Sequence, residues 1–384
     1  MSKKYNDLFR EIVAILRRDY VGADRMGDRF DPRYYNMAIG QAWRDGRLDE
    51  LLFLRYVSQM LACIGDRHLK LSMRPSDSYT PWTPGFFTRR YGDSLYVTAV
   101  THDERLTVGD RITAVNGGTP ASQRAAIQKN FFFADEPERE DWNGLLKMAE
   151  TVDVEHADGS RERIRVRQFP RSAGAEAADV PVFELPGGIV LDLRNTASPD
   201  DNGAISLLPM ICRKDTPLAE LIDTELMVNY TRLNCLMKAA ALQDAEGAED
   251  YLAELAENAG RGFLPDSFDD GTVIPGRAPE TVIVLTDTWT RDGAETLALA
   301  AKRAGATLIG RPTLGTIDVC GDVSCELDDR YVLTWPTAVV RSAADGSGVM
   351  HRGIAPDMYL PWTPEECGRD VLWDAAMDCF KEKT

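Results

Sequence analysis

Apolar side chains recur at helical spacing in the first part of the chain. Between residues 8 and 16, and again between residues 51 and 61, they return every three or four positions. The second run stops at Gly65, which breaks the helix, and Leu69 and Leu71 then alternate with polar residues as in a strand. The pattern predicts a helical N-terminal region over residues 1–75.

The middle of the chain has the pattern of short strands and tight turns. Residues 94–100 and 111–115 alternate in polarity, and Asn116-Gly117 has the composition of a tight turn. A short helix is predicted over 121–129, and a hairpin between 152 and 167 turns at an Asp-Gly pair. We predict a separate β-rich domain over residues 80–170.

The remainder alternates strand and helix, which indicates an α/β core over residues 180–384. A run of small and polar residues at 171–179 has the composition of a linker leading into it. The fold class is therefore α+β in several units. In the core we predict strands at 188–193, 281–285 and 306–309, helices at 218–259 (interrupted at Gly247) and 293–304, and a hairpin around 328–330.

Composition narrows the possible partners. The formal net charge of −17 disfavours nucleic acid and anionic membrane surfaces, because their phosphates would be repelled. No window approaches the roughly 18 apolar residues of a membrane span, and the N-terminus has no apolar leader region. Seven scattered cysteines fit reduced thiols, and Cys320 with Cys325 is a weak zinc signal. These features predict a cytoplasmic protein without metal or other cofactor.

Several motifs resemble the S41 family of serine peptidases, the tail-specific, C-terminal processing and tricorn-type enzymes. An apolar strand and turn lead to Asp292-Gly-Ala-Glu295, where the family has T-x-S-A-x-E. Asp66 and His68 match a D-x-H pattern, residues 192–195 match D-L-R-N, and residues 353–357 match G-I-x-P-D. These motifs occur along the chain in the family's order. The resemblance implies a core like those of ClpP and crotonase.

Residues 108–117, Val-Gly-Asp-Arg-Ile-Thr-Ala-Val-Asn-Gly, resemble a PDZ domain. Such a domain adds an extended peptide as an extra strand and holds its C-terminal carboxylate in backbone N–H groups. The resemblance places the carboxylate-binding loop at Pro84-Gly85-Phe86-Phe87, so Gly85, Phe86 and Phe87 are the candidate peptide-binding residues. The expected partner is a polypeptide or its C-terminus.

The resemblance also implies that the catalytic serine has been exchanged. Counted from Glu295, the nucleophile position is occupied by Asp292. Asp292 followed by Glu295 is alternatively a capping box, with the aspartate as the helix N-cap. Thr288 and Thr290 are neighbouring hydroxyls that could substitute for the missing serine.

The remaining catalytic positions are also altered. Thr316 stands where tail-specific members have a lysine base, while His68 matches the histidine of tricorn-type members. Their orienting glutamate corresponds to Met350 or His351, so that carboxylate is absent.

The oxyanion loop has lost its paired glycines. It contains Pro199, which has no N–H to donate, and Ser198 is the remaining candidate donor, through its N–H or its hydroxyl. Lys302 is expected to face solvent from its helix.

Three hypotheses follow. The first is a non-proteolytic homologue that binds polypeptide tails or extended segments, because loss of several catalytic groups costs orders of magnitude in rate. The second is an active serine-type hydrolase with an atypical site or one completed by a partner subunit, and oligomerisation is possible. The third is metal chemistry at His68, Asp292 and His351, which are residue types that bind divalent ions.

Overall fold

The computed structural model describes residues 2–27, 30–74, 82–126, 139–170, 180–198, 200–268, 271–276 and 279–381. The chain forms two compact units, each built from three separated segments. The first unit comprises residues 1–74, 222–271 and 316–350, and the second comprises residues 75–221, 272–315 and 351–384. Each unit is described by itself.

The helices of the described residues are mostly two to five turns long. They are α1 (Ser2–Arg18), α2 (Pro32–Arg44), α3 (Glu50–Ile64), α4 (Pro120–Ala126), α5 (Asn143–Lys147), α6 (Asp201–Leu207), α7 (Leu218–Leu221), α8 (Arg232–Leu242), α9 (Glu249–Asn258), α10 (Asp292–Arg303), α11 (Arg341–Ala344) and α12 (Val371–Lys381).

The strands are short and form six sheets in these residues. They are β1 (Lys70–Met73), β2 (Trp82–Thr83), β3 (Phe86–Tyr91), β4 (Ser94–Val100), β5 (Arg111–Val115), β6 (Thr151–Glu155), β7 (Arg161–Arg165), β8 (Phe169–Pro170), β9 (Val182–Leu185), β10 (Gly188–Asp192), β11 (Thr216–Pro217), β12 (Glu225–Tyr230), β13 (Gly262–Ser267), β14 (Thr272–Val273), β15 (Thr281–Thr286), β16 (Thr307–Gly310), β17 (Val319–Cys320), β18 (Val323–Leu327), β19 (Tyr331–Trp335), β20 (Ala338–Val340) and β21 (Met358–Tyr359).

The second unit contains a mainly parallel sheet of order β21-β16-β15-β10-β9. Strands β10, β15, β16 and β21 run parallel, and β9 pairs antiparallel with β10. All six residues of β15 are buried, which explains its continuous apolar run. Helix α12 packs against β15 and β16, and α10 packs against α6. The carboxyl ends of the parallel strands lead into the loops of the candidate site.

A five-stranded antiparallel sheet, in the sequential order β3-β4-β5-β6-β7, also belongs to the second unit. Its core is formed by Phe86, Leu95, Ile112, Trp142 and their apolar neighbours. The predicted hairpin turns between β6 and β7, and the predicted short helix begins as α4. Residues 127–129 of that helix and the predicted linker at 171–179 lie outside the described residues.

The first unit joins N-terminal helices to two antiparallel sheets. Helix α1 packs on α2, α2 on α3, and α3 on β1, which is the edge strand of the sheet β1-β19-β18. Phe53 lies between Tyr5 and Tyr331, with ring centroids 5.0 and 5.3 Å away. The second sheet, of order β13-β12-β20-β17, is covered by α8 and α9.

The structure corrects one predicted element and divides the chain differently from the sequence pattern. Residues 218–259 were predicted helical, but β12 lies within them, because Leu226, Val228 and Tyr230 alternate onto one sheet face. Residues 222–271 and 316–350 of the predicted core pack with the N-terminal helices. No helix in the described parts of the chain is long and apolar enough to cross a membrane.

Candidate active site

The turn between β15 and α10 is anchored to the loop that follows β10. Thr290 is fully buried, and its hydroxyl donates to the Leu193 carbonyl at 2.7 Å while accepting the Asp287 N–H at 3.0 Å. The Arg291 N–H donates to the Thr196 carbonyl at 3.0 Å. These bonds hold the turn from both sides.

Asp287 is the main polar anchor of this turn, and sequence reasoning missed it. Its Oδ1 accepts the N–H groups of Asn195 and Trp289, each at 2.9 Å. Its Oδ2 accepts from Arg89 of β3 at 2.5 Å, and the same guanidinium donates to the Thr288 hydroxyl at 2.8 Å. The only signal in the sequence was a charged residue directly after a buried strand.

These contacts overturn the hypothesis that Thr288 or Thr290 replaces the serine. Thr290 uses its hydroxyl as both donor and acceptor within the turn. Thr288 is 1% exposed and accepts from a guanidinium, which stabilises its oxygen without removing a proton. Among the described residues, none of these contacts supplies a base for either hydroxyl.

Asp292 occupies the first position of α10 with a φ of 53°, in the left-handed region. A strained strand-to-helix turn of this kind is how nucleophile elbows expose a reactive side chain. Its side chain is 48% exposed, and its carboxylate lies 3.7 Å from the Arg291 guanidinium. The helix N-cap is Arg291 and not Asp292, so the predicted capping box is wrong by one residue.

Glu295 has a different partner from the one a capping box requires. It is fully buried, and its Oε1 accepts the hydroxyl of Thr313 and the N–H of Gly315 at 2.7 Å. The Thr313 hydroxyl in turn accepts the Ile354 N–H at 2.7 Å. The glutamate of the motif therefore ties the start of α10 to two loops of the second unit.

The loop at residues 313–314 is held from its other side by Arg139. This buried guanidinium donates to the carbonyls of Thr313 at 2.9 Å, Leu314 at 3.3 Å and His351 at 3.1 Å. His351 itself is exposed, with a φ of 69°. The structure places His351 at a surface turn, where its main chain makes the contact.

The end of the G-I-x-P-D motif has a structural role. Asp357 accepts the Leu308 N–H at 2.9 Å and lies 3.0 Å from the Lys302 ammonium, which also donates to the Ala355 carbonyl at 2.6 Å. Lys302 was expected to face solvent, but it holds this terminal segment against β16. Its ammonium is paired and is not a free base.

The oxyanion loop has fewer available hydrogen-bond donors than the sequence predicted. The N–H of Ser198 donates to the Thr196 hydroxyl at 3.0 Å, within its own loop, and the residue is largely buried. That N–H is therefore already used, which corrects its assignment as an available donor. Pro199 lies outside the described residues.

A polar cavity of about 320 Å³ lies beside Asp287 in the second unit. It sits at the carboxyl ends of β10, β15 and β16, where ligands of α/β sheets commonly bind. Its charged lining consists of ion pairs: Arg89 with Asp287, Arg194 with Asp192, and Arg311 with Glu366. Because these charges balance, the lining favours neither an anion nor a cation.

His68 belongs to the first unit, whereas Asp292, Ser198 and His351 belong to the second. Its Nδ1 lies 3.0 Å from both carboxylate oxygens of Asp322, and its Nε2 lies 2.9 Å from the Thr316 carbonyl. Asp66 fixes the preceding turn by accepting the His68 N–H at 2.8 Å and the Tyr20 hydroxyl at 2.8 Å. The structure thus supplies an acid for this histidine, which the sequence analysis considered absent.

The protonation state of His68 follows from these partners. Both ring nitrogens face acceptors, so both carry protons. Burial would lower the pKa of the imidazole, but the hydrogen bond and charge of Asp322, the charge of Asp66 and the Thr316 carbonyl raise it to about 9. A general base needs a lone pair on a ring nitrogen, and this imidazolium has none near pH 7.

We expect the His68 imidazole to titrate near pH 9 and to stabilise the first unit in its charged form. Because its pKa is raised from 6.5, that stabilisation is complete below about pH 6.5 and is lost as the pH rises through about 9. The loss of unfolding free energy is on the order of 3 kcal/mol. The chain has four histidines, so ¹⁵N NMR of the ring nitrogens can follow each one.

The matched control is His68→Gln, which keeps one donor but cannot titrate. The difference in unfolding free energy between wild type and this variant should shrink between pH 6.5 and 9. A His68 ring with one unprotonated nitrogen at pH 7 would contradict the assignment and restore it as a candidate base.

The predicted peptide-binding residues surround the start of β3. The Gly85 carbonyl accepts the N–H groups of Thr101 at 2.8 Å and His102 at 3.0 Å, and Gly85 has a φ of 85°. The Phe86 side chain is 1% exposed and belongs to the sheet core, so only its main chain can meet a ligand. Phe87 is 42% exposed.

The metal hypothesis gains no support from geometry. Within the described ranges, no group of three or more His, Cys, Asp or Glu side chains is arranged to hold a metal ion. His351, one of the three ligands considered, lies exposed at a turn.

Comparison with solved structures found the same fold in mature CPAF. The structure of mature CPAF in complex with lactacystin is 11% identical, covers 99% of this chain and 97% of its own, and has a TM-score of 0.65. A crystal structure of mature CPAF is 12% identical, covers 95% of this chain and 94% of its own, and has a TM-score of 0.61. These identities support similarity of fold alone.

Comparison with curated protein sequences found no match. The sequence model of peptidase family S41 matches residues 185–360, which contain the β10 loop, the turn at Asp292, and the segments that Glu295 and Asp357 hold in place. Over these residues, rather less than half of the chain, the sequence is similar to peptidase family S41.

Proposed function

We propose that this chain is a non-proteolytic member of the S41 family that binds polypeptide tails or extended segments. The observation that carries the proposal is the turn at residues 287–292. It keeps the backbone of a nucleophile elbow but presents the carboxylate of Asp292, and the hydroxyls beside it are held within the turn. A carboxylate attacking an amide would form an anhydride, which is a poor acyl-enzyme.

The state of His68 supports the same conclusion. With Nε2 donating to the Thr316 carbonyl and Nδ1 to Asp322, the ring has no site to accept a proton. The Ser198 N–H is also engaged in its own loop. Nucleophile, base and oxyanion donor are thus each altered, and each loss alone costs orders of magnitude in rate.

The five-stranded sheet supports binding of an extended segment. We interpret it as PDZ-like, with Gly85 at the turn that leads into β3. Strand β3 is at one end of the sheet order, so one side of its backbone pairs with no other strand of that sheet. A peptide added there would gain main-chain hydrogen bonds, and the exposed ring of Phe87 would meet its side chains.

The cellular location is part of the proposal. All seven cysteines lie in the described residues, and no disulfide joins any of them. Reduced cysteines are typical of the cytoplasm. The net charge of −17 would favour basic segments through electrostatic steering.

We expect the purified chain to bind fluorescent tail peptides without cleaving them. Anisotropy should show binding that C-terminal amidation weakens by about tenfold or more, since the amide loses the charge that backbone N–H groups hold. Mass spectrometry after prolonged incubation should recover the peptides, and unfolded proteins, intact.

Gly85→Ala tests where the peptide binds. Its added Cβ would lie 2.9 Å from the Asp103 nitrogen and 2.8 Å from the Phe169 ring, in a left-handed conformation. Binding should fall with little change in the parallel sheet. Gly92→Ala is the matched control, because Gly92 also has a positive φ but open space around it. Equal effects of the two variants, or cleavage of any peptide, would refute the proposal.

One observation favours a second candidate, a hydrolase whose site a partner completes. His68 and Asp322 form a histidine–carboxylate pair of the kind that orients a general base. If a partner displaced the Thr316 carbonyl, Nε2 would become available. Covalent labelling of the chain by a fluorophosphonate would support this candidate, and Asp292→Ala should then leave the labelling unchanged.

A further inference from the structure

The polar cavity beside Asp287 has the size and the position of a small-molecule site. Its volume of about 320 Å³ lies at the lower end of the range of ligand pockets, about 300–1,000 Å³. It is lined by the carboxyl ends of parallel strands in the second unit, where α/β proteins commonly bind ligands. Asp292, Ser198 and His351 are not among its lining residues, so it does not include these predicted catalytic side chains.

One part of the lining has hydrogen-bond donors that a ligand can use. The side chain of Arg89 is 10% exposed, and within the described residues it donates to the Thr288 hydroxyl and to Asp287. A guanidinium has more N–H donors than these two bonds require. Both oxygens of Asp287 already accept hydrogen bonds, from Arg89 and from the N–H groups of Asn195 and Trp289. Here the cavity can therefore bind an acceptor such as a carboxylate.

Another part of the lining has a carboxylate that a further cation would stabilise. The side chain of Glu366 is 13% exposed and accepts from Arg311 through Oε1. Burial raises the pKa of the Glu366 carboxyl group, and the charges of Arg311 and Arg89 with the Thr363 backbone lower it only in part. An additional cation such as an ammonium would offset the remaining cost of burying this carboxylate.

The balance of charge selects the class of ligand. The charged lining residues are Arg89, Arg194, Arg311, Asp192, Asp287 and Glu366. A ligand with a net charge would leave one buried charge without compensation, whereas a zwitterion adds no net charge. Because the charge of Arg89 acts on Glu366, the two groups are near enough for one small zwitterion to reach both.

The lining also includes an aromatic surface. Trp362 is 5% exposed, and its ring is held by the rings of Tyr91 and Tyr96, with centroids 6.3 and 6.0 Å away. An indole held in this way offers a fixed apolar contact. The zwitterion that fits this lining best therefore carries a neutral, apolar side chain.

We propose that this cavity binds a free α-amino acid with an apolar side chain. The α-carboxylate accepts from the available N–H donors of Arg89, and the α-ammonium donates to Glu366. The side chain of the amino acid contacts Trp362. This site is independent of the binding of polypeptide tails at β3, and each can be present without the other.

The test is equilibrium dialysis of the intact chain against radiolabelled L-leucine, N-acetyl-L-leucine and L-leucinamide. The acetylated analogue keeps the carboxylate but has no ammonium, and the amide keeps the ammonium but has no carboxylate. Leucine should bind at least about tenfold more tightly than either analogue, because only leucine makes both charge-assisted contacts. Equal affinities for the three compounds, or a Kd for leucine above about 1 mM, would overturn the proposal.

Protection of Cys367 from alkylation tests the location of the site. This partly buried thiol lines the cavity, so saturating leucine should slow its reaction with iodoacetamide several-fold. Cys325 is the matched control, since it is also partly buried but lies in the first unit. Its rate should not change. Equal rates at Cys367 with and without bound leucine would show that leucine binds elsewhere.

Glu366→Gln removes the partner of the α-ammonium. We expect this variant to bind leucine about tenfold less tightly or more, while its affinity for N-acetyl-L-leucine stays the same. Glu365→Gln is the matched control, because Glu365 is 59% exposed and outside the lining, and it should bind leucine as the wild type does. Equal affinities of the two variants for leucine would contradict the assignment of Glu366. The protection of Cys367 uses the unaltered chain, so it tests the site even if Glu366→Gln does not fold.

Discussion

Replacing Gly353 by alanine is expected to destabilise the second unit by at least about 4 kcal/mol. A Cβ at this position would lie 2.0 Å from the Thr313 carbonyl oxygen, and Gly353 has a φ of 68°. The opposing backbone cannot easily move away. The Thr313 N–H donates to the Ile354 carbonyl at 3.2 Å, and the Thr313 hydroxyl is held by Glu295 and Ile354.

Urea unfolding followed by tryptophan fluorescence measures this effect, and Gly305→Ala is its matched control. Gly305 also has a positive φ, of 90°, but nothing lies within 4 Å of its added Cβ. That variant should lose only the conformational term of about 1–2 kcal/mol. Similar losses in the two variants would show that the close approach of Gly353 to Thr313 is not a tight constraint.

The second large loss of stability is expected on substitution of Asp287. Changing it to alanine should lower the free energy of unfolding by about 4 kcal/mol, because the Arg89 guanidinium would remain buried without its counter-charge. The side chains of Arg89 and Asp287 are only 10% and 6% exposed, so the unpaired guanidinium would be poorly solvated. The N–H groups of Asn195 and Trp289 would also lose their acceptor.

A series of variants at Asp287 and Arg89 separates the ionic part of this loss from the loss of hydrogen bonds. Asp287→Asn keeps an oxygen for the two N–H groups and should cost less than alanine. Combining it with Arg89→Met should recover part of the stability, since an uncharged pair leaves no isolated buried charge. Purely additive losses in this cycle, measured by urea unfolding, would contradict a direct ionic interaction between the two residues.

The sequence predicted the elements better than it predicted their partners. Strands 94–100 and 111–115 were located to the residue, and α10 differs from its predicted bounds by one position at each end, because their periodicity is local. The strand β12 was missed, since its alternating apolar residues lie in a stretch rich in Ala, Leu and Glu. Local composition there competes with pairing to β13 and β20, which are distant in sequence.

In the candidate site, the sequence predicted single residues but not the side chains that contact them. Motif spacing identified Asp292, but it could not show that Arg89, about 200 residues earlier, reaches the same turn. It also could not show that Asp322 pairs with His68 across 254 residues. Side-chain partners that are so distant in sequence depend on the tertiary fold, and a single sequence contains no direct signal of them.

The left-handed backbone at Asp292 has a consequence for which residues that position tolerates. The hydrogen bonds of the Thr290 hydroxyl and the Arg291 N–H hold this turn, in which Asp292 has a φ of 53°. Among side chains other than glycine, aspartate and asparagine enter this conformation most readily. In the non-proteolytic protein that we propose, hydrolysis does not require a serine, and steric preference would favour an acidic or amide residue at this position.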